Sequence, residues 1–176
     1  MKRVKLKEHW TEAAIAQALV RSVFNQAVLA VPCCSWTGSE CDLLVVEKKG
    51  LRIVDVEIKI SRADLRQDAA KLKWWHTRPW SRRRQSPLPR LWPDKVWKHY
   101  YVLPASIWDD SLYASIGPAS GVVVISQGVS PSKPYLSVLR PAKPCRDAKP
   151  ISAADAIDIA RLASLRMWAA LAKERP

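Results

Sequence analysis

Apolar residues recur at helical spacing near the start of the chain. Across residues 11–26, Ile15, Leu19 and Val23 stand one turn apart and form a single stripe. Thr11 precedes the stripe as an N-cap, and Glu12 falls in the first turn, where a carboxylate compensates the helix dipole. Glu12 also lies on the apolar stripe itself, so a site-facing role stands beside the dipole role. A second helix is predicted over residues 61–75, with Ser61 as cap, Asp64 three residues on, and Leu65, Ala69 and Leu72 as its buried stripe. A third is predicted over residues 151–174, capped by Ser152 and carrying Ile157, Ala160, Leu165, Trp168 and Leu171.

Elsewhere the pattern is that of strands. Residues 28–32 form a short candidate strand, followed by a turn-like stretch rich in small and polar residues. Residues 40–46 and 51–60 are β-branched and apolar, with Glu47, Lys48, Lys49 and Gly50 between them, which predicts a β-hairpin. Strands return at 98–104 and 121–126, with a short helix or loop between them, and 134–140 is a candidate edge strand before a proline-rich linker. Residues 76–95 keep no periodicity and are dominated by proline and arginine, as in an insertion or long loop. The order predicts one α/β domain over residues 1–176, a central mixed β-sheet flanked by helices.

The hairpin fixes a more specific expectation. With Lys49 and Gly50 at the turn, Glu47 faces Arg52 as a favourable cross-strand pair, and Asp42 faces Glu57. Lys59, two residues beyond Glu57, points to the same face, as does Asp55 on the other side of Glu57. A slip of one residue would send Asp42 to the opposite face from Glu57.

Composition narrows the setting. Of the 176 residues, 48% are hydrophobic and 26% charged, proportions that support a folded core. No apolar run is long enough to span a bilayer, and no secretory leader is evident, so a cytoplasmic protein without a membrane partner is expected. The net charge of +13 favours a polyanionic partner, of which nucleic acid is the first candidate. Cys33, Cys34, Cys41 and Cys145 do not follow zinc-ligand spacing and read as reduced thiols.

Two carboxylates opposed across neighbouring strands repel unless a cation, a shared proton or solvent relieves them. Hard divalent ions such as Mg²⁺ or Mn²⁺ take oxygen ligands and can polarise a phosphoryl oxygen, while a lysine stabilises the charge that develops there. Asp42, followed on the next strand by Glu57, Ile58 and Lys59, resembles the PD-(D/E)XK nuclease superfamily. The similarity extends over roughly residues 8–126 and includes a likeness to small bacterial and phage MmcB-like proteins. It implies a restriction-endonuclease-like fold and a DNA endonuclease, in a repair or phage setting, in which metal-activated water hydrolyses phosphodiester bonds. Asp42 and Glu57 would be metal ligands together with the carbonyl of Ile58, and Lys59 would be the catalytic lysine. Glu12 would match an acidic residue of the first helix that reaches the metal through water. Cys41 stands where many members carry proline, and Lys71 stands where RecB-type exonucleases carry tyrosine, which argues against that branch. Asp55 could replace Glu57 in a variant site, while Asp64 and Asp68 read as cap and surface residues.

Residues 62–98 add Arg62, Arg66, Lys71, Lys73, Arg82, Arg83 and Arg84 as candidate phosphate contacts, interleaved with tryptophans. The indoles can stack on unpaired bases or anchor the chain to its core. A homodimer would supply the two active sites that duplex cleavage calls for. Two rivals remain from sequence: a non-catalytic DNA-binding accessory protein of the same fold, and an RNA-binding module without metal.

Overall fold

The computed structural model describes residues 10–76, 88–130 and 133–173. Helix α1 spans Glu12–Ser22, with the Thr11 hydroxyl accepting from the Ala14 N–H at 3.1 Å as its N-cap. Strands β1 (Leu29–Cys34), β2 (Cys41–Val46) and β3 (Ile53–Ile58) follow, then α2 (Arg62–Asp68). Two-residue strands β4 (Trp75–His76) and β5 (Leu88–Pro89) pair with each other, apart from the main sheet. Strands β6 (Lys98–Pro104), β7 (Gly121–Ser130) and β8 (Lys133–Arg140) lead to the terminal helix α3 (Ala153–Lys173).

The main sheet has six strands in the order β1-β2-β3-β6-β7-β8. β3, β6 and β7 run parallel, and the two outer segments, β1-β2-β3 and β7-β8, are antiparallel. Strands buried on both faces read as continuous apolar runs, which is why β2 and β3 carry so few polar residues. On one face Leu43, Val45, Val54, Val56 and Ile58 pack beneath Ile15 and Leu19 of α1. α1 covers only part of that face and leaves an apolar groove of about 700 Å³ bordered by Phe24, Tyr100, Val102 and Leu136. The opposite face has two clusters. Leu44, Val46 and Ile53 pack with Ile159 of α3, and Tyr101, Leu103 and Val124 pack with Leu65 of α2 and Trp74. Asp55 and Glu57 project from β3 on this second face, both buried.

The expected hairpin register is the observed one. Leu43 pairs with Val56, Leu44 with Asp55, Val45 with Val54, and Val46 with Ile53. The Glu47 N–H donates to the Arg52 carbonyl at 3.0 Å, and Gly50 (φ 82°) and Leu51 (φ 46°) turn the chain between them. The second helix is shorter than its periodicity suggests. It ends at Asp68, and a 3₁₀ turn at Leu72–Trp74 rotates Leu72 outward, 75% exposed, while Lys73 and Trp74 turn inward. Ala69 is exposed as well, so the expected stripe of Leu65, Ala69 and Leu72 is replaced by Leu65 and Asp68.

Where β6 and β7 meet, one glycine is required by space. A Cβ at Gly121 would lie 2.3 Å from the Tyr100 ring and 2.8 Å from the Ala142 backbone nitrogen. Gly121→Ala is therefore expected to destabilise the fold by about 1–3 kcal/mol, as overpacking does. Urea unfolding checks this, and an unchanged midpoint would show that the strand moves freely. Among the described residues no helix is long and apolar enough to cross a membrane.

Candidate active site

Strand pairing assembles the site. β2 delivers Asp42 at the end where β3 delivers Glu57 and Lys59, and α2 closes over them from the side of β6. The Lys59 ammonium lies 2.5 Å from Glu57 Oε2, 3.4 Å from Asp42 Oδ2 and 3.6 Å from Asp68 Oδ1. Asp42 Oδ2 also accepts the Ile58 N–H at 2.7 Å, so Ile58 enters the site through its backbone nitrogen. Asp42, Glu57 and Lys59 are thus together, as the hairpin register predicts, while Ile58, which the resemblance brings in through its carbonyl, meets Asp42 through its N–H.

The structure adds residues that the sequence reading placed elsewhere. Asp68, expected at the surface, is fully buried and anchors the cluster. It accepts from the Tyr101 hydroxyl and from Trp74 Nε1 (3.2 Å), and the Lys71 ammonium is 2.5 Å away. The signal was its position one turn after Leu65, on the inward face. Lys73, expected at a phosphate, is instead buried between carboxylates. It contacts Glu57 and stands 3.7 Å from Asp55. A lysine enclosed in this way cannot reach a nucleic acid without breaking two ion pairs. Lys71 is half exposed, but its ammonium is also committed, to Asp68 and to Glu57 at 3.4 Å.

Glu12 does not join this cluster. Its helix packs on the other face of the sheet, its side chain is exposed, and among the described residues it has no hydrogen bond or ion pair. Arg62 and Arg66 remain on the exposed side of α2, with Arg62 Nε donating to the Ile107 carbonyl at 2.6 Å. Arg82, Arg83 and Arg84 lie outside the described residues. The described tryptophans of this region are anchors: Trp74 is in the core, and Trp92 Nε1 donates to the Lys143 carbonyl at 2.7 Å. All four cysteines are free thiols.

Electrostatics follow from this crowding. Burial raises the Asp42 carboxyl above its ordinary range, the Glu57 charge adds to the rise, and Lys59 and the Ile58 N–H oppose it. Burial would raise Glu57 too, but Lys73 and Lys59 outweigh it and hold its pKa low. Burial pushes Asp55 up to about 7, against the pull of Lys73. Four carboxylates therefore meet three ammonium groups, and Asp55 is the acid that keeps a proton most readily near neutrality.

A second array lies deeper. His99 Nδ1 is 3.0 Å from Ser120 Oγ, and His99 Nε2 is 4.0 Å from Asp55 Oδ1. All three are buried, with Ser120 and His99 at 0% exposure, so no ester or peptide reaches the serine and the array is structural. Burial, with Lys73 nearby, depresses the His99 pKa and keeps the ring neutral.

No family model, curated protein or solved structure matches this chain. Function therefore rests on the cluster itself.

The donor set suits a hard cation under one condition. Among the described residues no three acidic, histidine or cysteine side chains form a ready cage. Mg²⁺ often takes only one or two protein carboxylates and completes its shell with water and substrate phosphate. Asp42 supplies one such group, partly exposed and engaged only through Oδ2. Glu57 supplies the other if one of its three lysines withdraws.

Proposed function

We propose that this protein is a Mg²⁺- or Mn²⁺-dependent DNA endonuclease with a restriction-endonuclease-like site, similar to PD-(D/E)XK nucleases. The observation that carries the reading is the convergence of Asp42, Glu57 and Lys59 where β2 begins and β3 ends, with Asp42 and Lys71 the members that reach solvent. Asp42 and Glu57 would hold the cation, with the Ile58 carbonyl as a further candidate ligand. A cation bound there would polarise the scissile phosphate and lower the pKa of an attacking water.

The protein's own groups supply the rest. Asp42 is held in place by the Ile58 N–H on Oδ2, which would leave Oδ1 to take a cation. Lys59, released from Glu57 as the cation takes that carboxylate, would place its ammonium toward the phosphate and offset the charge that builds there. Asp68 would keep Lys59 and Lys71 nearby through that exchange. The exposed Arg62 and Arg66, with Arg82, Arg83 and Arg84, would bind the DNA backbone and are part of the net charge of +13.

One observation favours a second reading. Glu57 is already neutralised by Lys59 and Lys73 without any metal, as in a structural ion network. A non-catalytic DNA-binding protein of this fold would have the same arrangement. Cleavage of supercoiled plasmid and branched DNA with Mg²⁺, Mn²⁺ or EDTA separates the two. The nuclease reading expects nicking that needs metal and is lost in Asp42→Ala. Binding without cutting under every metal condition would select the accessory role. Arg62→Ala with Arg66→Ala should weaken binding uniformly across sequences and lower the slope of log affinity against log salt by about one to two.

A further inference from the structure

A lysine ammonium carries three N–H donors, and burial makes each unmade bond costly. Lys73, in the 3₁₀ turn at Leu72–Trp74, is 5% exposed. Among the described residues only Glu57 accepts a hydrogen bond from it. Its Nζ stands 3.7 Å from Asp55 Oδ2, just beyond hydrogen-bond distance. Asp55 is buried as well, and its Oδ1 has no hydrogen-bond partner among the described residues. His99 Nε2, 4.0 Å from that oxygen, is unpartnered too. Buried carboxylates are normally engaged, as Asp68 is by Lys71, Tyr101 and Trp74. Asp55 is a spare acceptor beside an under-used donor.

We infer that Lys73 is a resident counter-ion of the candidate metal site, and that Asp55 receives its ammonium when a divalent cation takes Glu57. This role presupposes the metal site proposed above. Lys59 holds Glu57 Oε2 and Lys73 holds Oε1, with Lys71 at 3.4 Å. A divalent ion on Glu57 supplies the charge that these lysines now supply, and it repels their ammonium groups. Lys59 stands beside the partly exposed Asp42 and has the substrate phosphate to turn to. Lys73 is enclosed and has no such partner. A shift of about 1 Å brings its Nζ within hydrogen-bond distance of Asp55 Oδ2. Asp55 and Glu57 lie two residues apart on β3 and share a face, so the ammonium passes along one strand.

Lys73 then competes with the cation for Glu57, and Asp55 relieves that competition. Metal loading needs a higher free concentration than the two carboxylates alone would require. Both are positioning residues, since each acts on the cation through Glu57. Their substitutions have opposite signs, which a shared structural role would not produce.

Titration of the full chain with Mn²⁺ at pH 8, with free Mn²⁺ read by electron paramagnetic resonance, tests this without reference to cleavage. Lys73→Met should bind Mn²⁺ about tenfold more tightly than wild type, because a competing charge is gone. Asp55→Asn should bind about 10-fold more weakly or worse, as loss of a residue behind a metal ligand does. The double variant should match Lys73→Met, because Asp55 acts only through Lys73. It also removes both charges together, so it decides the matter if circular dichroism shows Lys73→Met unfolded. A double variant that binds no more tightly than wild type overturns the proposal. So does weaker binding in both single variants, or equal binding in all, and in those cases the metal site itself survives. Absence of Mn²⁺ binding in wild type and every variant overturns the metal site, and this role with it.

Discussion

Lys59→Ala is expected to lower metal-dependent cleavage by about 10²–10³-fold while DNA affinity stays near that of wild type. Losing one preorganised donor to a developing oxyanion has about that cost. The side chain is buried and its ammonium stands among three carboxylates, so the substitution removes charge from the candidate site rather than from the exposed basic surface. Its absence also leaves Glu57 with Lys73 alone among the buried cations. Single-turnover cleavage with a filter-binding control reads the two effects apart. Lys59→Arg should rescue little, because a planar guanidinium does not fit a pocket shaped for a point charge. Cleavage within a few-fold of wild type in Lys59→Ala would remove this lysine from the chemistry. Equal losses in affinity and rate would assign it to binding instead.

Asp68→Ala is expected to have the largest effect on stability. Asp68 is fully buried and receives Tyr101, Trp74 and Lys71, with Lys59 at 3.6 Å. Removing one partner from a buried charge network leaves uncompensated groups and costs about 3–5 kcal/mol. For a domain of this size that corresponds to a fall in melting temperature of about 6–20 °C. Asp68→Asn keeps the shape and should lose less. Burial would raise the Asp68 carboxyl, but Lys71, Lys73 and the Tyr101 hydroxyl hold it below its ordinary 3.8. The folded value lies below the unfolded one, so its stabilisation is complete above about pH 4 and disappears as pH falls through the folded value. The stability gap between wild type and Asp68→Asn should therefore close in strong acid. A gap that persists there would locate the effect in packing. A melting temperature of Asp68→Ala within a degree or two of wild type would contradict the network.

Much of this arrangement was legible in the chain. The Asp42–Glu57 opposition followed from turn residues and from the Glu47–Arg52 pair, because the period of a strand fixes faces once a turn is placed. Thr11, Ser61 and Ser152 were readable as helix starts since each offers a hydroxyl to a free N–H. The shortening of α2 was not legible. Helical spacing put Ala69 and Leu72 inward, and only tertiary contacts of Asp68 and Trp74 stop the helix and turn Lys73 in. Lys73 was misplaced for the same reason: a lysine in a basic stretch looks solvated until its carboxylate partners on β3 are known. The His99–Ser120–Asp55 array joins the middle of β3, the start of β6 and the residue before β7, far apart in sequence, and no local pattern announces it. Glu12 sits on its predicted helix, but that helix packs on the other face of the sheet, a choice that periodicity does not make.

In the proposed site Asp42 and Glu57 together bind one divalent ion. Anomalous diffraction from crystals soaked in Mn²⁺ tests it directly. One peak is expected between the two carboxylates, with the ammonium of Lys59 or Lys73 displaced from Glu57, and no peak in Asp42→Asn. Saturating manganese that leaves both lysines on Glu57 and no density beside Asp42 would contradict it.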